Sequence, residues 1–101
     1  MASGNIIQVV KYKDVTLTYT SPVTINPSVA ARFYISNDAT MYNSKLIGVQ
    51  LIDSDIGSDT AVLAAIGITK DPTMSRICIP IYNTGASYKD VSSVTLRIYY
   101  I

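Results

Sequence analysis

With 101 residues, the chain has room for one domain (residues 1–101) built around a single core. Only 15% of the residues are charged, against about 25% in an average soluble domain, while 49% are apolar, so some apolar surface is expected to be covered by another subunit unless the packing is unusually tight. The basic residues are scattered, the net charge is +1, and no apolar run reaches the roughly 20 residues of a membrane span, which argues against nucleic-acid and membrane partners.

Alternation of apolar and polar residues with a period of two dominates the chain and predicts β-strands. The alternation is strictest between Val15 and Thr20, where every second residue is a threonine. A strand with one buried face and one wet face has this pattern. In chain order, the predicted strands are Ile6–Tyr12, Val15–Thr20, Ala31–Ser36, Lys45–Asp53, Arg76–Tyr82 and Val91–Ile101.

Turn-forming residues separate these strands at short intervals, and no long helical pattern intervenes. We therefore predict an all-β fold, a single antiparallel β-sandwich of jelly-roll or immunoglobulin-like type, with about six to eight strands and little or no helix. The predicted turns are Lys13-Asp14, Ser21-Pro22, Asn26-Pro27, Asn37-Asp38, Asp53–Asp59, Lys70–Pro72 and Asn83–Gly85.

Two segments have competing interpretations. Pro80 cannot donate a ladder hydrogen bond, so it predicts an edge strand or a bulge. Residues 59–66 are alanine-rich and begin with an aspartate that suits a helix N-cap. The same segment also places Val62, Ala64 and Ile66 on one face of a strand, and we favour the strand.

The sequence contains neither histidine nor glutamate, two residue types on which many enzyme active sites depend. Histidine is the usual general base at neutral pH and the commonest metal ligand. The only cysteine, Cys78, alternates with isoleucines and is interpreted as a small packed residue rather than a nucleophile. We therefore predict a protein that is not an enzyme and has no required cofactor.

The acidic loop from Asp53 to Asp59 is similar in composition to calcium-binding loops. Asp53, Asp55 and Asp59 lie near Gly57, and calcium loops also place carboxylates at alternate positions around a glycine. The position of the glycine and the residue at the twelfth position, Ala64, do not fit an EF-hand loop. A polar connection between two strands explains the same residues, so calcium is the lesser of the two interpretations.

Tyrosines supply the main candidates for binding, since the chain has eight of them. Tyr42, with its neighbour Asn43, and Tyr88 fall in predicted loops, where recognition residues concentrate. They suggest a carbohydrate- or receptor-binding module as the alternative function. Tyrosine is also a good strand residue, which accounts for most of the eight without any binding role.

The strand at the end of the sequence must be paired within its own sheet or against another subunit, because an exposed apolar edge invites aggregation. This predicts an interface between copies of the chain. Its candidate residues are Leu96, Ile98, Tyr99, Tyr100 and Ile101.

The start at Met1–Asn5, the strands rich in Thr, Asn, Ile and Tyr, and the closing segments Ile79–Gly85 and Val94–Ile101 together resemble small β-structured virion proteins of tailed bacteriophages. These include head fibres, decoration proteins and tail or baseplate accessory proteins. The resemblance implies a non-enzymatic homo-oligomer, with a trimer favoured, which binds other virion proteins and in some cases host glycans. It also implies a location in the virion after assembly in the bacterial cytoplasm.

Overall fold

The computed structural model describes residues 9–101. The segment Met1–Asn5 and the first half of the predicted strand Ile6–Tyr12 lie outside the described residues. Two short helices interrupt the strands, α1 (Ala39–Tyr42) and a 3₁₀ helix (Gly57–Val62). The strands are β1 (Lys11–Ile25), β2 (Ala30–Ile35), β3 (Leu46–Ser54), β4 (Leu63–Ala65), β5 (Thr69–Asp71), β6 (Arg76–Asn83) and β7 (Lys89–Tyr100).

The strands form two antiparallel sheets, which confirms the predicted β-sandwich. Sheet A has the order β1-β7-β3, and sheet B has the order β2-β6-β4, with β5 also paired to β6. The strands β6 and β7 are therefore central, and each carries a neighbour on both sides. Neither helix among the described residues has the length and apolar character needed to cross a bilayer.

The core lies between the inner faces of β6 and β7. On β6, Ile77, Ile79 and Ile81 are completely buried, in the strict alternation that the sequence predicts. Burying each of these side chains stabilises the fold by roughly 2 kcal/mol relative to exposure. The opposite wall is contributed by Val91, Val94, Leu96 and Ile98 of β7, all likewise buried.

The strand β1 runs through two of the predicted turns. Lys13 and Asp14 lie inside β1, and their side chains form ion pairs with Asp38 and Arg97, so the prediction of a turn at this pair is wrong. Between Thr18 and Val23 the pairing with β7 is interrupted, and the predicted turn Ser21-Pro22 falls within this irregularity. There the chain changes direction locally without leaving the strand.

Of the two alternatives predicted for Pro80, the edge strand is wrong, because β6 is central, whereas an irregularity in the pairing is found: between the pairs Ala65–Ile81 and Thr69–Cys78, three residues face two. The carbonyl oxygen of Pro80 accepts a hydrogen bond from the Ile66 amide, so the proline nitrogen faces the same side. On that side, β4 ends at Ala65 and β5 begins at Thr69. The missing N–H therefore faces a gap between two short strands, and no ladder bond is lost.

The strand favoured for residues 59–66 is only partly correct. The 3₁₀ helix occupies Gly57–Val62, and the extended segment is limited to Leu63–Ala65. Gly57 begins the helix with φ of +64°, a conformation that side chains with a Cβ rarely adopt. The helix is then fixed from outside, because the Val62 carbonyl oxygen accepts hydrogen bonds from the Thr84 amide and hydroxyl.

The turn predicted at Lys70–Pro72 begins later than expected. Lys70 and Asp71 belong to β5, and the turn occupies residues 72–75. Cys78, interpreted from the sequence as a packed residue, is half-buried on the outer face of sheet B, because Ile77 and Ile79 occupy the inward positions of β6.

Candidate functional site

The predicted binding tyrosines lie at opposite ends of the sandwich. The end formed by residues 36–45 and 72–75, called the open end below, carries Tyr42 as the last residue of α1, followed by the exposed Asn43. The other end, formed by residues 26–29 and 84–88 and called the closed end, carries Tyr88, which is 61% exposed. The structure therefore brings Tyr42 and Asn43 together and separates them from Tyr88, so the three residues do not form one site.

Asp38 organises the open end. Its carboxylate accepts a hydrogen bond from the Met41 amide at 3.0 Å, which caps α1. It also accepts one from the Lys13 ammonium at 2.7 Å. The hydrogen bond from Lys13, followed by the one from the Met41 amide, lowers the pKa of Asp38. The hydrogen bond and charge of Asp38 raise the pKa of Lys13 in return. This pair ties β1 of sheet A to α1, the helix that follows β2.

A shallow cleft of about 610 Å³ lies beside Tyr42 at this end. Two of the residues that line it, Asn37 and Ser75, have positive φ angles of 63° and 51°. Such conformations each cost about 1–3 kcal/mol in residues other than glycine and persist only where the surroundings enforce them. The carboxylate of the cleft, Asp38, already has two partners, so the cleft offers shape rather than acid–base chemistry.

The three aspartates proposed as calcium ligands have separate structural partners. Asp53 accepts the amide of Ser54, and Asp59 pairs with Lys89 at 3.3 Å. Asp55 accepts the amides of Ser92 and Ser93 at 3.0 and 3.2 Å. Within residues 9–101, no group of three or more acidic, cysteine or histidine side chains is placed to hold a metal ion. The carboxylates of Asp53, Asp55 and Asp59 therefore do not form a shared cluster.

The strand β7 pairs within its own chain, between β1 and β3. Leu96 and Ile98 are completely buried in the core of the single chain, which corrects their assignment to an interface between copies. Their side chains point between the sheets, whereas Tyr99 points to the outer face. Tyr100 and Ile101 are half-buried, and the Ile101 amide donates to the Lys45 carbonyl oxygen at 3.0 Å.

The outer face of sheet A carries a network that sequence reasoning missed. Arg97 donates two hydrogen bonds to Asp14, at 2.8 and 3.0 Å, and its guanidinium carbon lies 4.6 Å from the ring centroid of Tyr12. The rings of Tyr12 and Tyr99 are 6.3 Å apart. The hydrogen bond from Arg97 lowers the pKa of Asp14. Only the pairing of Asp14 with Arg97, 83 positions apart, reveals this cluster.

Exposed apolar side chains gather where this face reaches the open end. Val9, Val10 and Tyr12 are 67%, 52% and 60% exposed. Across sheet A, Ile47 is 47% exposed at an irregularity of β3, next to Gly48, which pairs with Tyr99. We call Val9, Val10, Tyr12 and Ile47 the apolar patch. Val9 and Val10 directly precede β1, Tyr12 lies in β1 and Ile47 lies in β3, so the grouping is visible only once the sheet is assembled.

Comparison with known proteins gave no relative: the chain matches no protein family, no curated protein and no solved structure.

Proposed function

We propose that the protein is a non-enzymatic assembly module that binds further copies of itself through the apolar patch. The observation that carries the proposal is the exposure of four large apolar side chains at one end of sheet A. Large apolar side chains that stay exposed at one end of a sheet favour association, because their burial by a partner is favourable. The surrounding Arg97–Asp14 network supplies the polar rim that such interfaces have.

The chemistry of the described surface supports the same proposal. Four of the seven aspartates, Asp14, Asp38, Asp59 and Asp71, form ion pairs, and Asp55 binds backbone amides of β7. Carboxylates held in this way stabilise the fold and are not poised to transfer protons. The sequence also contains no histidine, the usual general base at neutral pH.

The resemblance to small β-structured proteins of phage virions gives this assembly a setting. In that setting, the module is a head decoration, fibre or tail accessory protein, with a trimer as the favoured assembly and other virion proteins as further partners. The chain then reaches the virion from the bacterial cytoplasm.

Sedimentation velocity at micromolar concentration tests the proposal. The unmodified chain should sediment as an oligomer, and Val10→Asp should shift it towards monomer, because a carboxylate in the buried interface is not solvated. Tyr88→Asp is the matched control, since Tyr88 is as exposed as the patch residues but lies at the closed end.

A monomeric unmodified chain would overturn the proposal. Dissociation by Tyr88→Asp, with Val10→Asp leaving the oligomer intact, would also overturn it, because the interface would then lie at the other end. Circular dichroism of both variants shows that each substitution leaves the β-sandwich folded.

A further inference from the structure

A second concave surface crosses the outer face of sheet B, on the side of the molecule away from sheet A. It is a groove of about 660 Å³, within the usual range of about 300–1,000 Å³ for small-ligand sites. The gap between β4 and β5 creates it. Gly67 lies in that gap without a side chain, and a Cβ built there would come within 3.9 Å of Pro80 Cγ.

The floor and walls of the groove differ in character. Cys78 and Pro80 form a small, apolar floor, and the side chains of Arg32, Tyr34 and Thr69 surround it. The register places them on one face, because Arg32 pairs with Pro80, and Cys78 pairs with both Tyr34 and Thr69. These residues are called the Arg32 groove below.

The charged side chains beside the groove differ in their partners. Asp71 accepts Nε of Arg76 at 2.8 Å, and the Arg76 guanidinium lies 3.6 Å from the centroid of the Tyr34 ring. This arrangement fixes one wall. Lys70 also lines the groove, but its ammonium is engaged elsewhere, since it donates to the Ser44 carbonyl oxygen and lies over the Tyr42 ring. Within residues 9–101, no carboxylate pairs with the exposed Arg32.

We propose that the Arg32 groove binds a carboxylated sugar. A guanidinium that has no carboxylate partner within residues 9–101 and stands on the face of a sheet is suited to a carboxylate, which it binds with two parallel hydrogen bonds. The apolar floor of Cys78 and Pro80 accommodates the C–H face of a sugar ring. The hydroxyls of Thr69 and Tyr34 are able to donate to or accept from ring hydroxyls. The proposal does not depend on assembly through the apolar patch, which lies on the other sheet.

The test uses two probes that differ only in the carboxylate, methyl β-D-glucuronide and methyl β-D-glucoside. Each is titrated into the ¹⁵N-labelled full chain, and the amide resonances are followed. The glucuronide should cause saturable shifts at Gly67 and Thr69, with an affinity in the millimolar range that suits a shallow, open site. The glucoside should leave these resonances in place.

Arg32→Gln should weaken glucuronide binding at least about tenfold, which corresponds to about 1.4 kcal/mol. Lys45→Gln is the matched control, because it removes an exposed cation that does not line the groove, and it should leave the affinity unchanged. Since Arg32 is exposed and has no ion-pair partner, its replacement is expected to leave the fold intact, and a thermal melt verifies this.

Three results would overturn the proposal: no saturable shift at Gly67 or Thr69, an equal response to the glucoside, or unchanged binding by Arg32→Gln. Sodium acetate serves as a further arm. Acetate binding as tightly as the glucuronide would show that the groove recognises a bare carboxylate, and the assignment to a sugar would be wrong.

Discussion

The two ends of the sandwich are held together in different ways. At the closed end, Asn83 is completely buried, and its side chain binds three backbone groups, the carbonyl oxygens of Ile25 and Ser87 and the amide of Gly85. At the open end, the corresponding polar residue is Asp38, whose partner Lys13 is about half exposed. A polar contact stabilises a fold most where water cannot replace it. The closed end should therefore contribute stability, and the open end leaves surface free for partners.

The largest effect is expected at the closed end, for Asn83→Ala. The substitution leaves two carbonyl oxygens and one amide without their partners in a buried site, and each such group costs about 1–3 kcal/mol. We expect the free energy of unfolding to fall by about 3 kcal/mol, part of the loss being relieved by relaxation and entering water. Urea denaturation at a fixed protein concentration measures it.

Asn43→Ala is the matched control at the open end, because Asn43 is exposed. Its effect should stay within about 0.5 kcal/mol, as is usual for surface substitutions. Equal losses for the two variants would contradict the distinction between the ends.

Asn83 also shows where sequence reasoning stops. Its position at the end of an alternating strand and before Gly85 predicts a turn, and a turn is found there. The sequence does not show that its side chain reaches Ile25, 58 positions away, or that a Cβ on Gly85 would lie 3.1 Å from its Oδ1. The first contact depends on how the end of β1 meets the end of β6 across the two sheets, and the second on the path of the chain after β6; alternation specifies neither.

The same division holds for the strands and for the sites. Alternation predicts β6 and β7 and their buried faces, because period two translates directly into which side chains point inward. It gives no information about partners, so the Arg97–Asp14 pair and the apolar patch were not predicted. The interface assigned to Leu96 and Ile98 was wrong for the same reason: an apolar strand face has the same pattern whether its own chain or a second copy covers it.

An intermediate loss of unfolding free energy is expected for Asp55→Ala, which lies between the two ends. Val91 and Val94 of β7 are both buried although they are three positions apart, so the inward–outward alternation is interrupted between them. The Asp55 carboxylate accepts hydrogen bonds from the amides of the two residues in this interval, Ser92 and Ser93. The variant should lose about 1 kcal/mol, since Asp55 is exposed and water replaces part of the interaction. Asp53→Ala, which removes only a local contact with Ser54, is the control and should lose less.

Adding calcium tests whether the loop from Asp53 to Asp59 has this structural role or binds a metal ion. Because the carboxylates of Asp53, Asp55 and Asp59 do not converge, added calcium should leave the melting temperature of the unmodified chain unchanged. A rise on addition of calcium that Asp55→Ala abolishes would restore the metal site and remove the structural explanation.

The smallest loss of unfolding free energy is expected at the open end, for Asp38→Asn. This loss should depend on pH in a direction that the lowered pKa of Asp38 determines. Asparagine still caps α1, so the substitution removes mainly the ion pair with Lys13, which contributes little because Lys13 is exposed. The pKa of Asp38 is lowered in the folded chain, so its stabilising contribution is complete above the unfolded value of about 3.9 and is lost as the pH falls through the folded value. The difference in unfolding free energy between the two proteins should therefore be constant from neutral pH down to about pH 5 and should vanish in stronger acid. Since the carboxylates of Asp14 and Asp71 are present in both proteins, their own acid titration cancels in this difference. If the unmodified chain were instead the less stable of the two at neutral pH, with that deficit closing in acid, Asp38 would be destabilising when charged, and the open end would not be held by this pair.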